Sequence, residues 1–591
     1  MNLSNIKTAK TNEKLLFFHK KIAKILNDVA AAYTISDENR FKIIAYQNAA
    51  SSIEHATSEI KDLWEEGKLD TLPGLGENIR KHLNELFTTG KVKHFEAVTK
   101  DIPQIVFELL KLRGMGPKTA YKLATSLKLK SLKDLAQKAK SKKIRKIPGF
   151  GQKSEQEILE SANKFKEPTR YLLSESFPVA ERILNSLKTL KEVEIAEPLG
   201  SLRRMNPTVG DIDIAVASKS PQAVIKHFAA FGEVSKVLEA GERKGSVILK
   251  NGMQIDLLIN PPKSFGSLLQ HFTGSKNHNI KLREFAIKNK TSVSDYGIRY
   301  KGRLHEFKTE EEFYNFLGMD WIVPEMREDT GEIEAALKHK LPKVVELGDI
   351  KGDIHLHSNY PIEPSHDLGK DSFEDIVNKA KSLEYEYVGL SDHSPGYSTH
   401  SKYQMIKLIE KRSKKIEQLK SSIKNIGILN LLEIDILTNG QLSVPEEGLK
   451  LLNGAIAGIH SSHSQGKSAI TQRLLVAIRS PYVQVISHPT GRLLNARESY
   501  EADWPLIFRE CRKTRTMLEI NAHPNRMDLT DTLARAALEY GVKFIINTDS
   551  HDITQMDNMR FGVAGARRGW AQKGDIANTL SWVEFRKLFN V

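Results

Sequence analysis

Cysteine is almost missing from this chain: Cys511 stands alone in 591 residues. A single thiol excludes an internal disulfide framework and fits a reducing compartment. No apolar run approaches the roughly eighteen residues of a membrane span. The opening MNLSNIKTAKTNEKLL has no apolar core of a secretion signal. These absences predict a cytoplasmic protein with no membrane partner. Acids are also nearly absent from one stretch. Between Lys111 and Lys153 there are fourteen Lys or Arg against one acid, Asp134. Such a block can be a solvated tail. Here, spaced apolar residues interrupt it, which argues for a folded basic surface and, with a net charge of +15, for a nucleic-acid partner.

The length allows roughly three to five domains. Residues 1–165 read as helical, with apolar residues three and four apart in LLFFHKKIAKILNDVAAAY and ENRFKIIAYQNAASSIEHA. A loose repeat runs through them: LPGLG at 72–76, LRGMG at 112–116 and IPGFG at 147–151. Paired glycines permit a positive-φ turn and leave amides unshielded before the next helix, where a phosphate can bind without sequence readout. Gly74, Gly76, Gly114, Gly116, Gly149 and Gly151 are the candidate DNA-backbone contacts. A single motif of this kind could equally be a plain helical turn; three in a basic region favour DNA.

From about residue 170 strands and helices mix, and GSLRRMNPTVGDIDIAVAS at 200–218 places Asp211 and Asp213 on one face of a strand. Two carboxylates this close repel unless a cation compensates. Solvated aspartates on a strand edge remain an ordinary alternative. Asp256 in MQIDLLI supplies a third carboxylate, and three on adjacent strands suit two-metal catalysis. In that scheme Asp211 and Asp213 bridge two Mg²⁺ or Mn²⁺ ions. Asp256 holds the ion on the nucleophile side, and Ser201 and Arg204 contact a triphosphate.

GS…GDID, the DLLI strand and HFTGSKNHN at 271–279 resemble the palm and nucleotide pocket of family X DNA polymerases. The resemblance implies nucleotide contacts at Gly210, Phe272, Gly274 and Asn279, and a template contact at Arg283. His271 stands where the family often has tyrosine. The helical repeats resemble helix-hairpin-helix elements, which implies a monovalent cation held by carbonyls near Leu112 and Met115. Lys42 and Tyr46 match a pocket for a 5′-phosphate. The family's Schiff-base lysine falls on His82, which has no primary amine to form an imine. Lys81 is adjacent but points about 100° away on a helix.

After Gly352, seven apolar runs end in His, Asp or Glu: GDIHLH, YVGLSDH, LNLLEID, AIAGIH, VQVISH, MLEINAH and FIINTDSH. Interleaved helices make this a β/α barrel with ligands at one end of its strands. His, Asp and Glu without thiolate suit Mn²⁺, Zn²⁺ or Fe, and so large a set suits two or three ions. The pattern resembles the PHP phosphoesterase domain. That resemblance implies ligands at His355, His357, His393, Glu433, His460, His488, Asp549 and His551. The insertion PIEPSHDLGKDS leaves Asp367 as the ninth, with His366 a weaker substitute. Glu519 and Asn521 are expected behind the ligands or on substrate, and His523 outside the cluster.

The expected organisation is a helical gap- and 5′-phosphate-binding domain (1–90) and a helix-hairpin-helix DNA-binding domain (91–165). A nucleotidyltransferase palm (166–262), a nucleotide-selection subdomain (263–320), a linker (321–350) and a distorted (β/α)7 PHP barrel (351–591) follow. The fold is thus multidomain α+β and α/β. The expected function is monomeric, template-directed gap filling on primer-template DNA from deoxynucleoside triphosphates. An attached nuclease would act as a 3′→5′ exonuclease or at abasic sites in repair. Template-independent nucleotidyl transfer fused to a small-molecule phosphatase, and a DNA-binding scaffold with inactive sites, are the rivals.

Overall fold

The computed structural model describes residues 12–54, 64, 69–71, 74–110, 112, 115–163 and 170–589. Two compact units divide the chain, one ending at Thr169 and the other running from Arg170.

The first unit is helical throughout its described residues. Helices Asn12–Ile35, Arg40–Glu54 and Glu77–Thr89 bury Leu26, Tyr33, Ala49, Ile53 and Leu83 in one core. Pro117–Leu127, Leu132–Lys140 and Gln152–Asn163 bury Ala120, Leu123, Leu135 and Ile158 in a second. Burial at three- and four-residue spacing is what the sequence periodicity calls for.

In the second unit a five-stranded sheet has Ile212–Ala217 parallel to Gln254–Asn260 at its centre. Its apolar face packs on helix Leu173–Lys188, burying Val179, Ile183, Ile214, Val216 and Ile255. Helices Phe265–Thr273 and Lys276–Lys288 follow, with a three-stranded antiparallel sheet. The connector expected over 321–350 is packed against its neighbours. It carries helix Glu332–Leu337 and buries Ile322, Met326, Ile333 and Ala336 in a core with Leu282, Phe313 and Trp570. The apolar residues among its Pro, Glu and Lys supply that packing.

Seven parallel strands, from Gly352–Asp353 to Phe544–Asn547, run in sequence order. Leu356 bridges Ser550, and His357 N donates to Ser550 O at 2.8 Å, so the segments just past the first and last strands meet and the barrel is nearly closed. Parallel strands covered on both faces read as continuous apolar runs, which is why Tyr387–Leu390 and Phe544–Asn547 are wholly buried.

Candidate active sites

Asp213 and Asp256 are partners in register on adjacent parallel strands, and Asp211 immediately precedes the Ile212–Ala217 strand. Burial, then the charges of Asp211 and Asp256, push Asp213 up to about 7. Such a cluster is completed by cations. Ser246 Oγ donates to Asp256 Oδ1 at 2.5 Å and Gln254 Nε2 to the same oxygen at 3.1 Å, fixing that carboxylate's rotamer. Gly200 has φ of +58°, and a Cβ there would lie 3.0 Å from Asp213 Oδ2. The glycine beside Ser201 therefore keeps the carboxylate's space open, a role the sequence motif alone does not disclose.

Two of the nucleotide-binding candidates, Arg204 and Asn279, are paired with neighbouring residues. Arg204 lies 2.9 Å from Glu328 and donates to the Thr273 carbonyl. Asn279 donates to His271 O at 2.7 Å and accepts from Gln270 at 3.0 Å. Phe272 is half-buried beside His271, Gly274 has φ of +69°, and Gly210 packs by Arg170. Arg283 is exposed on helix Lys276–Lys288. Arg203, to which sequence reading gave no role, forms a two-pronged pair with Glu310 at 2.9 and 2.7 Å. The fully buried Arg327 meets the same Glu310 at 2.6 Å.

In the helical unit, Gly76 and Gly116 cap the helices they precede, and among the described residues nothing beyond the adjoining chain lies within 4 Å of a Cβ built on Gly76, Gly116 or Gly151. Those helix N-termini are open to an anion. Gly74 and Gly149 hold φ of +81° and +88°. Gly114 lies outside the described residues. Lys118 and Lys122 line a cleft of about 430 Å³ with Met115, Pro148 and Gly149, so the second and third glycine turns share one basic hollow. Tyr46 is 4% exposed, with its hydroxyl 2.8 Å from His82 Nδ1. It thus faces inward, while Lys42 lies over the Tyr33 ring. His82 also stacks on His94, and exposed Lys81 pairs with Glu77 on the same helix.

At the barrel mouth Glu433 stands central. His355, His393, His460 and His488 approach its carboxylate at 3.2, 3.1, 3.2 and 2.9 Å. Asp549 is 3.4 Å from His355 and 3.2 Å from His357, on whose ring His551 stacks at 4.0 Å. Burial holds His551 and His488 down at about 4, helped by His357 and Arg526 respectively. Neutral imidazoles are the ligating form. Among the described residues, buried His355 Nε2, both His357 ring nitrogens, His393 Nδ1, Glu433 Oε2 and His551 Nε2 make no hydrogen bond of good geometry, although several stand at ion-pair distance from one another or from Asp549. So many convergent orphaned donors and acceptors are costly in an interior and fit metal ions.

Asp367 lines the cavity here but joins none of the ligand-distance groups among the described residues. Its neighbour His366 does, with Asp435 and His460, at 3.0 Å from Asp435 Oδ1. Within the insertion it is the imidazole of His366, itself exposed, that comes within ligand distance of the cluster. Asp435, two residues after Glu433, was missed although the i, i+2 rule applied to Asp211 and Asp213 marks it. It also holds His460 Nδ1 at 2.6 Å. Glu519 accepts from His355 Nδ1 at 2.7 Å and His488 N at 2.7 Å, and Asn521 donates to Glu519 and to Asp549. Both lie behind the ligands. His523 belongs to the wall of the cavity, a space of about 770 Å³, with Lys370, Arg497 and Arg526.

Three stretches of the chain match family models. Residues 268–328 match the DNA polymerase beta thumb, 19–92 a helix-hairpin-helix domain and 106–164 a SAM-like helix-hairpin-helix tandem. The chain is 33% identical over 569 residues to the DNA polymerase/3′-5′ exonuclease PolX of Bacillus subtilis (strain 168), covering 95% of this chain and 98% of that one. The chain belongs to the family X DNA polymerases. It is a nucleotidyltransferase. More distant family X relatives match only part of it. DNA polymerase lambda of Arabidopsis thaliana is 24% identical over 52% of this chain and 62% of its own length. DNA nucleotidylexotransferase of Ambystoma mexicanum is 22% identical over 49% and 64%. Among the described residues no helix is long and apolar enough to cross a membrane.

Proposed function

We propose that the protein fills gaps in DNA from deoxynucleoside triphosphates under template direction and trims 3′ ends at its barrel, in DNA repair. The observation that carries this is two separate ligand sets in one chain: the palm carboxylates and the orphaned donors around Glu433. The domain boundaries are those read from the sequence, with residues 321–350 assigned to the thumb's packing.

Asp211, Asp213 and Asp256 are the palm ligands for two Mg²⁺ or Mn²⁺ ions. His355, His357, His366, His393, Glu433, His460, His488, Asp549 and His551 are the barrel ligands for Mn²⁺, Zn²⁺ or Fe. When bound, such ions supply an activated oxygen nucleophile and neutralise phosphate charge. Asp256, held by Ser246 and Gln254, takes the proton of the primer hydroxyl. Ser201, Arg204 and Gly210 receive the triphosphate; Phe272, Gly274 and Asn279 flank the sugar and base. Arg283 meets the template strand, while the glycine turns and Lys42 grip the DNA backbone, and Tyr46, buried against His82, shapes the 5′-phosphate pocket from within. In the barrel Lys370, Arg497 and Arg526 draw the phosphodiester to the ligands.

The test is a 5′-labelled gapped duplex incubated with Mn²⁺, with and without nucleotides, followed by product sizing. Extension by the length of the gap with nucleotides, and shortening without them, is the expected pair of results. Nucleotide addition without regard to template sequence would replace the first half of the reading with template-independent transfer.

A further inference from the structure

Helix Met559–Arg568 of the barrel is built into the polymerase core. Phe561 on it, and Met527 nearby, belong to the palm's apolar cluster, and Trp570 just beyond belongs to the thumb's. Its last residue, Arg568, has a side chain only 8% exposed. Arg568 Nη1 donates to the backbone carbonyl of Arg204 and to Glu328 Oε1, each at 3.0 Å, and to Asn206 Oδ1. Its Nη2 donates to Asp531 Oδ2 at 2.5 Å. Glu328 Oε1 accepts in turn from Arg204 Nε at 2.9 Å. One carboxylate oxygen is therefore shared by a palm guanidinium and a barrel guanidinium.

To turn its Nε edge toward a triphosphate, Arg204 has to release Glu328. Breaking a buried pair is costly chiefly because it strands the partner charge. Arg568 removes that obstacle, since Glu328 keeps a charge-assisted hydrogen bond after Arg204 leaves. Its bond to the Arg204 carbonyl meanwhile holds the backbone in place. We propose that Arg568 of the barrel is a positioning residue for nucleotide binding in the palm, holding Glu328 so that Arg204 is free for the triphosphate. The proposal rests on the reading of Arg204 as a triphosphate contact.

The test is single-nucleotide incorporation by the full-length protein on a gapped duplex, with the nucleotide titrated. In Arg568→Lys a point charge replaces a fork that serves four acceptors. The nucleotide KM should rise about tenfold, the size of coupling common between contacting charged groups, with kcat and 3′ trimming little changed. Adding Glu328→Gln should bring the KM back, because an uncharged partner no longer retains Arg204. Asp531→Asn, which loosens the anchor of Arg568 without burying a new charge, should raise KM in the same direction. An unchanged KM in Arg568→Lys would overturn the proposal. So would a joint loss of incorporation and trimming that Glu328→Gln does not relieve, which would mark Arg568 as structural. Asp213→Ala serves as the separate check: incorporation by that variant would defeat the palm assignment itself.

Discussion

Asp213 and Asp256 face each other in register on parallel strands, and Ser246 and Gln254 hold the second of them by one oxygen. The arrangement fixes two carboxylates at a separation set by the sheet rather than by loops. Asp213→Ala should therefore lower nucleotide incorporation by at least about a thousandfold, since loss of a bridging ligand misaligns both ions. Trimming at the barrel should persist. Primer extension at a rate near that of the parent protein would remove Asp213 from the site.

Glu310 gives a prediction for acid stability. Burial would raise its carboxyl, but Arg327 and Arg203 outweigh burial and hold it down at about 2. A folded-state value below the unfolded one contributes stability above about pH 4.5 that is lost as pH falls toward 2. The contribution is on the order of 3 kcal/mol at neutral pH. Glu310→Gln should lower Tm at pH 7, and the gap between variant and parent should narrow as pH falls through that window. A gap constant from pH 6 to pH 3 would show that the pair contributes nothing through ionisation.

The ligands read from sequence come together where strand geometry alone determined them. His355, His357, His393, Glu433, His460, His488, Asp549 and His551 sit at or just past the ends of parallel strands, and the ends of such strands converge. Asp367 sits in an insertion, where strand periodicity has no force and a one-residue shift decides which side chain comes within ligand distance of the cluster. The pairing state of Arg204 and Asn279 was equally hidden. It depends on Glu328 and Gln270, whose proximity comes from tertiary packing and not from any spacing in the chain. Tyr46 is a third case: a polar tip invites a ligand, but its hydroxyl is satisfied by His82.

His82, where the family resemblance puts the imine-forming lysine, is engaged with Tyr46 and stacked on His94. Lys81 pairs with Glu77 at 2.8 Å on the exposed side of the same helix. Borohydride treatment in the presence of an incised abasic site should leave no trapped adduct in residues 1–90. Mass spectrometry placing one on Lys81 would show that the lysine reaches the sugar.

His366 and Asp367 can be separated by metal content. His366→Ala removes an imidazole within ligand distance of His460 and Asp435, so the purified variant should hold less metal and trim 3′ ends at least about tenfold more slowly. Asp367→Ala should retain the parent's metal content. The reverse ranking, by elemental analysis of both variants, would return Asp367 to the ligand set.

Glu519 touches no position where substrate chemistry would occur, yet it ties three strands together behind the ligands. Its Oε1 accepts from His355 Nδ1 at 2.7 Å and from Asn547 at 3.0 Å, and its Oε2 accepts from His488 N at 2.7 Å. A carboxylate at that distance fixes the proton on Nδ1 and leaves Nε2 of His355 facing the cluster as a ligand. Glu519→Gln presents an amide that cannot accept through both arms, so His355 loses the orientation that makes it a donor. Metal affinity should fall by roughly 10–100-fold, the usual effect of losing such a supporting hydrogen bond. Chelator titration followed by elemental analysis measures this directly. Trimming should fall in proportion but recover when excess Mn²⁺ is added, because the ligands themselves remain. Incorporation at the palm, which uses other carboxylates, should not change. Equal metal retention by the variant and the parent would mean that the barrel positions His355 without Glu519.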